Sequence, residues 1–423
     1  MTTPAASPAP AAPSAPPSSR STATRWQLPP AAAFPLLAIL LFAFFVAGSA
    51  PSPLFVVFQQ QWGFSPALLT VAFAIYAIAL LASLLIAGSL SDHIGRRPVV
   101  FTALLLQAGA MLTFLLADGI NGIIAARIVQ GIATGMVSGA LTAAVVEAAP
   151  AAQKRLGAMI GSVSPLAGLA VGALLTGIAV KFALHPVPLV FGVLVAICVV
   201  GAVATLFLPE SATPRPGALA SLVPRISIPV QARAEFVRGV PTMLAVWSLA
   251  GLYLSLVPSM LQQIFGIHDG IVNGLAIATF FGLGAASPTL LKSFSPVRMS
   301  AIGMSLLAVG AGLVAVSLAT RSVALFFAGT ALAGYGGGSA FSSQVQTLAP
   351  LAQPHQRAEL FAALYATSYL AFSVPAMLAG RLIAPLGLPA TAEGYAALVL
   401  AVAALGAWLR WGSVRRAKSA HPC

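Results

Sequence analysis

What most constrains this chain is the length of its apolar runs, which are almost free of charge and separated by short charged turns. Twelve can be drawn, near 34–58, 66–90, 98–117, 121–146, 156–180, 188–208, 240–264, 271–291, 298–318, 323–347, 359–383 and 391–411. A helix crosses the roughly 30 Å of bilayer hydrocarbon with about 20 apolar residues, the length of each run. Only helices and closed barrels satisfy their backbone hydrogen bonds in lipid, and these runs lack the alternation of barrel strands. Charged residues make up 7% of the chain, against roughly a quarter in a soluble domain. The expected fold class is therefore an all-α membrane protein with twelve transmembrane helices, and a soluble globular enzyme is excluded.

A net charge of +13 could suggest nucleic acid, but the basic residues cluster at the ends of the apolar runs. With the N-terminus placed inside, only Lys181, Arg321 and Arg381 of the 21 lysines and arginines fall outside, and Arg127 lies within a span. That bias predicts an inner-membrane protein with both termini cytoplasmic. Residues 1–33, rich in Pro, Ala and Ser, are expected to form a disordered cytoplasmic tail, and 412–423 a second tail. A cleavable signal peptide is the competing reading of the first run, with Arg20 and Arg25 before it and the small residues Gly48–Ala50 within it.

An internal duplication favours a retained helix there. Ala47, Gly48, Gln59, Gln60 and Gly63 return 203 residues later as Ala250, Gly251, Gln262, Gln263 and Gly266, with Phe265 standing where Trp62 stood. Ala149, Pro150, Ala152 and Gln153 return 200 residues later as Ala349, Pro350, Ala352 and Gln353. Two six-helix halves follow, 34–208 and 239–411, joined by a cytoplasmic linker at 209–238 that holds five prolines and four arginines. Halves of this kind are related by an axis along the membrane normal, with the substrate site between them near the midplane. The cysteines, Cys198 and Cys423, and the five histidines form no metal or haem pattern, so no metal and no cofactor is expected.

The turn between the second and third runs reads GSLSDHIGRRPVV, from Gly88 to Val100. Its pattern, G-x-L-x-D-x-x-G-R-R, resembles the signature loop between helices 2 and 3 of the major facilitator superfamily of secondary transporters. The resemblance implies two pseudo-symmetric six-helix bundles that work by alternating access. It implies that Asp92 caps the N-terminus of helix 11, here near Arg357 to Glu359, when the cytoplasmic side closes. A carboxylate there gains about 0.3–1 kcal/mol from the helix dipole, and up to ~2 when partly buried. Gly88 and Gly95 would permit close approach and a tight turn. Arg96 and Arg97 hold the loop inside, and the resemblance gives the motif's arginine an acid at the cytoplasmic end of helix 4, which is Glu147 here. Two hundred residues after Asp92 stands Lys292, in the loop KSFSPVRM, which has no acid. A single latch and asymmetric gating are expected.

Arg127 lies in ARIVQGIATG, and R-x-x-Q-G with Gly135 resembles the helix 4 motif whose arginine is linked to proton coupling. Such residues usually face a cavity or a partner, the alternative being that the side chain snorkels to the outer interface. In helix 5 the antiporter pattern G-P-x-x-G-G is matched only at Pro165 and Gly168, because Ser164 and Leu169 replace glycines. All eight acids lie at or near helix ends, and none sits mid-membrane in helix 1 or helix 7. Proton coupling would then run through Asp92, Glu147 or Arg127, and a strongly cationic substrate is disfavoured. Gln130, Tyr253, Asn273, Tyr335, Gln344, Tyr365 and Tyr369 lie within spans and, with Arg127, are the candidate substrate-binding residues.

The expected function is proton-coupled export of small drug-like or metabolite molecules by a monomer in the lipid bilayer. An importer or facilitator of a neutral or anionic metabolite is the alternative, and a non-transporting sensor or scaffold a remoter one. No nucleophile, base or metal constellation points to an enzyme.

Overall fold

A computed structural model describes residues 28–212, 215–353 and 356–419. The expectations for residues 1–27 and 420–423 lie outside them. Within the described residues the chain is a succession of twelve membrane-length helices. Helix α1 runs Pro30–Ser49 and continues past Ala50 as Pro51–Trp62. It is followed by α2 (Pro66–Ala87), α3 (Arg96–Leu115), α4 (Ile120–Ala148), α5 (Lys154–Phe182) and α6 (Pro186–Thr205). Helix α7 runs Val230–Ser255 and resumes after Leu256 as Val257–Gln263. Then come α8 (Gly270–Leu290), α9 (Pro296–Thr320) and α10 (Val323–Leu348). The last helical stretch, Arg357–Ser419, is divided at Gly387 (φ 79°) into α11, 357–386, and α12, 388–419.

Local chemistry sets these boundaries. Pro30, Pro66, Pro186 and Pro296 stand in the first turn of their helices, where the missing N–H costs nothing. Asp269 caps α8 by accepting from the amides of Ile271 (2.8 Å) and Val272 (3.3 Å). Gly63 (φ 68°) ends α1, and Gly266 (φ 69°) stands in the turn just after α7, both in the left-handed conformation that glycine adopts without strain. Those two glycines are partners in the sequence duplication, and they repeat each other in conformation as well.

Three boundaries depart from the expected layout. Helix α1 begins at Pro30, inside the stretch expected as tail, because proline suits a first turn. Helix α7 begins at Val230, inside the stretch 209–238, where Arg233, Glu235 and Arg238 conceal the helix from a search for apolar runs. Helix α12 runs on to Ser419, past the expected end at 411.

The packing repeats with a step of six helices. In the N-terminal bundle α2 packs on α4, α3 on α4 and α6, and α1 on α5. In the C-terminal bundle α8 packs on α10, α9 on α10, and α7 against α11 and α12. Helix α9 also meets α12, where Trp411 Nε1 donates to Ser305 Oγ at 3.0 Å. Two extensive pairings join the bundles, α5 with α8 and α2 with α11, and these exchange under the same step. Leu184, Val200, Ile39 and Leu398 are among many exposed large apolar side chains, which suits a surface solvated by lipid tails. Twelve crossings return the chain to the face from which it started, here termed the terminal face, and the opposite one the far face.

Candidate transport site

The site begins with a proline. Pro51 has no N–H, so the carbonyl of Ala47, four residues earlier in α1, loses its helical donor. Gln130 of α4 supplies one through Nε2 at 3.0 Å, and its Oε1 accepts from Arg127 Nη1 at 2.7 Å. Those two contacts fix the amide, since a carbonyl can only accept and a guanidinium can only donate.

Arg127 is 1% exposed, so it does not snorkel to the interface. Its guanidinium carbon lies 4.8 Å from the centroid of Phe55, 5.4 Å from Tyr76, 5.7 Å from Phe114 and 6.0 Å from Phe73. Among the described residues no carboxylate pairs with it, and its Nε and Nη2 have no hydrogen-bond partner. Each desolvated cation–π contact is worth about 0.5–2 kcal/mol, and together they offset an insertion cost of roughly 2.5–3.5 kcal/mol. Two donors nonetheless remain unused.

The rings beside Arg127 continue across the bundle boundary. Phe73 of α2 stands 4.6 Å, centroid to centroid, from Phe372 of α11. Phe372 adjoins Tyr369 (6.3 Å) and Trp247 of α7 (6.0 Å), and Trp247 meets Tyr369 at 4.9 Å and Phe341 of α10 at 5.4 Å. Tyr365 stacks on Tyr369 at 6.3 Å, one turn nearer the terminal face. A second proline fixes this end, because Pro375 leaves the Ala371 carbonyl without its helical donor and Ser248 Oγ donates to it at 3.0 Å. The buried Nε1 of Trp247 has no partner. The result is an aromatic belt partway along the helices, contributed by both bundles and carrying, among the described residues, unused donors at Arg127 and Trp247.

The structure thus brings Arg127, Gln130, Tyr365 and Tyr369 into one connected region. Tyr253 is elsewhere: its hydroxyl lies 2.6 Å from Thr330 Oγ1 and its ring 4.4 Å from Phe280, both in its own bundle. Gln344 is also taken up inside that bundle, where its Oε1 accepts from Arg410. Asn273 is buried in α8, next to Gly274 at the contact with α5. Tyr335 is half-buried in α10, and its carbonyl accepts from Ser339 Oγ at 3.1 Å. A buried hydroxyl or amide needs a partner, and for Tyr253 and Gln344 the nearest one lies within the bundle.

At the terminal face the signature loop forms a charge cluster within one bundle. Asp92, in the short helix Ser91–Ile94, lies 2.5 Å from Arg96, and Arg96 Nη2 lies 3.1 Å from Glu147 Oε1. Glu210 caps α3 by accepting from the backbone amides of Arg96 (2.7 Å) and Arg97 (3.1 Å). Gly95, at φ 102°, makes room for it, since a Cβ there would stand 2.4 Å from Glu210 Oε2. Ser211 donates to Glu147 at 2.7 Å, and Arg97 Nη1 reaches the Leu208 carbonyl at 3.5 Å. Gly88 closes α2 in ordinary helical conformation. Glu210 and Ser211 were not singled out in the sequence, although an acid directly after a span-ending proline was a visible signal. Asp92 is half-exposed, and among the described residues its ion-pair partner is Arg96 rather than a group on α11.

The bonds between the bundles lie towards the far face. Lys181 at the end of α5 pairs with Asp269 at the start of α8 at 2.6 Å. That bond, with the amides of Ile271 and Val272, holds the Asp269 carboxyl below the usual carboxylate range. Ser259 donates to Gln59 at 3.2 Å, and α5 and α8 touch backbone to backbone at Gly177 and Gly270.

A family model described as Major Facilitator Superfamily matches residues 37–296, more than half of the chain. The chain belongs to that superfamily. One curated relative, the inner membrane transport protein YnfM of Escherichia coli (strain K12), is 35% identical over 86 residues. The matched stretch spans 20% of this chain and 21% of that protein. Among solved structures, the crystal structure of the human organic anion transporter MFSD10 (TETRAN) is similar with a TM-score of 0.64. It shares 18% identity, over 90% of this chain and all of that one. That likeness establishes the superfamily fold, in which the aromatic belt lies between the two halves.

Proposed function

We propose that the protein is a secondary transporter working by alternating access, and that it exports small amphipathic molecules in exchange for protons. The observation that carries this reading is the belt of rings shared by both bundles, with unused donors at Arg127 and Trp247 and, among the described residues, no acid paired with Arg127. Bundles that touch at the far face and share bonds there fit a conformation open to the terminal side. In this reading that side is the cytoplasm of an inner-membrane protein with both ends inside, which the asymmetry of basic residues supports, and the protein acts as a monomer.

Arg127 without a carboxylate favours an anionic or neutral substrate carrying an aromatic group, for which the rings supply stacking surface. The name of the structural neighbour, an organic anion transporter, agrees with that class. Import or facilitated passage of a metabolite of the same chemistry is the second reading, favoured by the loss of two helix 5 glycines at Ser164 and Leu169. The test uses purified protein in vesicles with two probes that share a phenyl ring and differ in charge, benzoate and trimethylphenylammonium. Benzoate should be carried, faster when a pH gradient is imposed, and Arg127→Ala should abolish it. Preference for the cation, or binding of neither probe, would overturn the reading.

A further inference from the structure

The C-terminal bundle holds a second buried arginine, and this one has an acid. Arg410 of α12 is 1% exposed, and its two terminal nitrogens donate to Glu235 of α7 and Gln344 of α10. The side chain of Glu235 is 19% exposed, and its other oxygen lies 3.9 Å from Arg238 on its own helix. From helix α11, Leu360 and Leu364 cluster with Phe236, Tyr365 packs beside them, and Glu359 precedes Leu360 in the first turn. Gly239, one turn beyond Glu235, makes the arrangement possible: a Cβ there would stand 1.9 Å from Gln344 Nε2. Here, among the described residues, Arg410 Nε, Gln344 Nε2 and Thr242 Oγ1 are buried without a hydrogen-bond partner, the last on the same face of α7 by its spacing of seven from Glu235.

A packed interior that seeks only stability does not leave donors and a hydroxyl unmatched around an ion pair. We propose that Glu235 is a proton-binding site, with Arg410 as its internal counter-charge. The proton arrives from the terminal face and bonds to the Glu235 carboxylate, and the pair changes from net zero to one positive charge. The guanidinium then loses its counter-charge while still out of water and keeps only the neutral Gln344 oxygen as a full acceptor, so the α7–α12 contact becomes unfavourable and the bundle relaxes towards another packing. The link to the transport site is short. Gln344 is one turn from Phe341, which touches Trp247, and Glu235 lies about 18 Å below Trp247 along α7. The aromatic belt and the proton site therefore share two helices, α7 and α10.

This inference rests on the proton-coupled reading above, and its test separates the two. Infrared difference spectra of the full-length protein in vesicles, recorded on acidification, should show the C=O stretch of a newly protonated carboxyl. The Glu235→Gln protein should lack that band, and Glu147→Gln should retain it. Where Glu235→Gln leaves too little folded protein, Glu235→Gln with Arg410→Gln removes both charges and should equally lack the band. In benzoate accumulation the same variants should lose at least tenfold of the pH-gradient effect. An undiminished band or undiminished gradient effect in folded Glu235 variants would overturn the assignment. A wild-type protein indifferent to the gradient, yet showing the Glu235 band, would overturn proton coupling and leave the binding site standing.

Discussion

Gly177 offers a direct test of how the bundles close. It faces α8 of the other bundle, and a Cβ added to it would stand 2.3 Å from the Gly270 carbonyl oxygen and 3.1 Å from Gly274 Cα. Those atoms are backbone, so no rotamer change can relieve the clash, and Gly177→Ala has to push α5 and α8 apart. Overpacking of this kind costs about 1–3 kcal/mol. The gain in helix propensity, about 1 kcal/mol, acts in every conformation and cancels from the balance between them. The far-face-closed conformation should therefore lose roughly 5–150-fold in population against the opposite one. Spin labels at Leu184 and Leu386, exposed at the far-face ends of the two bundles, would report this in a background free of native cysteines. The distance distribution should shift to longer values in Gly177→Ala and not in Gly192→Ala, whose added methyl meets nothing within 4 Å. Unchanged distances in Gly177→Ala would refute the claim that this contact closes the far face.

Three further outcomes are expected. Asp92→Asn should leave expression intact and slow turnover about five- to thirty-fold, the worth of a helix-terminus contact of about 1–2 kcal/mol, and wild-type rates would contradict the latch. Tyr253→Phe removes one hydroxyl while Thr330 keeps its bond to the Phe326 carbonyl at 2.7 Å. It should cost about 0.5–1.5 kcal/mol in thermal unfolding and leave benzoate affinity alone; a loss of affinity would place Tyr253 in the site. The Asp269 carboxyl is held below its usual range by Lys181, so its contribution is complete above that range and disappears as pH falls through the lowered value. The label distance across the far face should lengthen as pH falls through that lowered value in wild type and already at neutral pH in Asp269→Asn, and no difference between the two would contradict a role for the pair.

What could be read from the sequence follows from how far each interaction reaches along the chain. Spans, duplication and the loop at Asp92 rest on composition over about 20 residues or on adjacent letters, and they were legible. Arg127 stood out because a charge in an apolar run has no local explanation. Its ring of aromatics did not, since Phe55, Phe73 and Phe114 come from three other helices and look like ordinary span residues. The same limit hid Glu235 and Arg410, 175 positions apart, each of which reads alone as a charge at a span's end. Prolines carry a more local rule that could have been used. A proline inside a helix strands the carbonyl four residues back, so Pro51 and Pro375 mark Ala47 and Ala371 as needing a donor from elsewhere. Gln130 and Ser248 are those donors, one in each bundle, and both sit where the aromatic belt crosses. The polar side chains that fix the belt are thus committed to backbone repair. The groups left unspent among the described residues are Arg127 Nε and Nη2 and Trp247 Nε1, the donors that the proposed function assigns to a substrate.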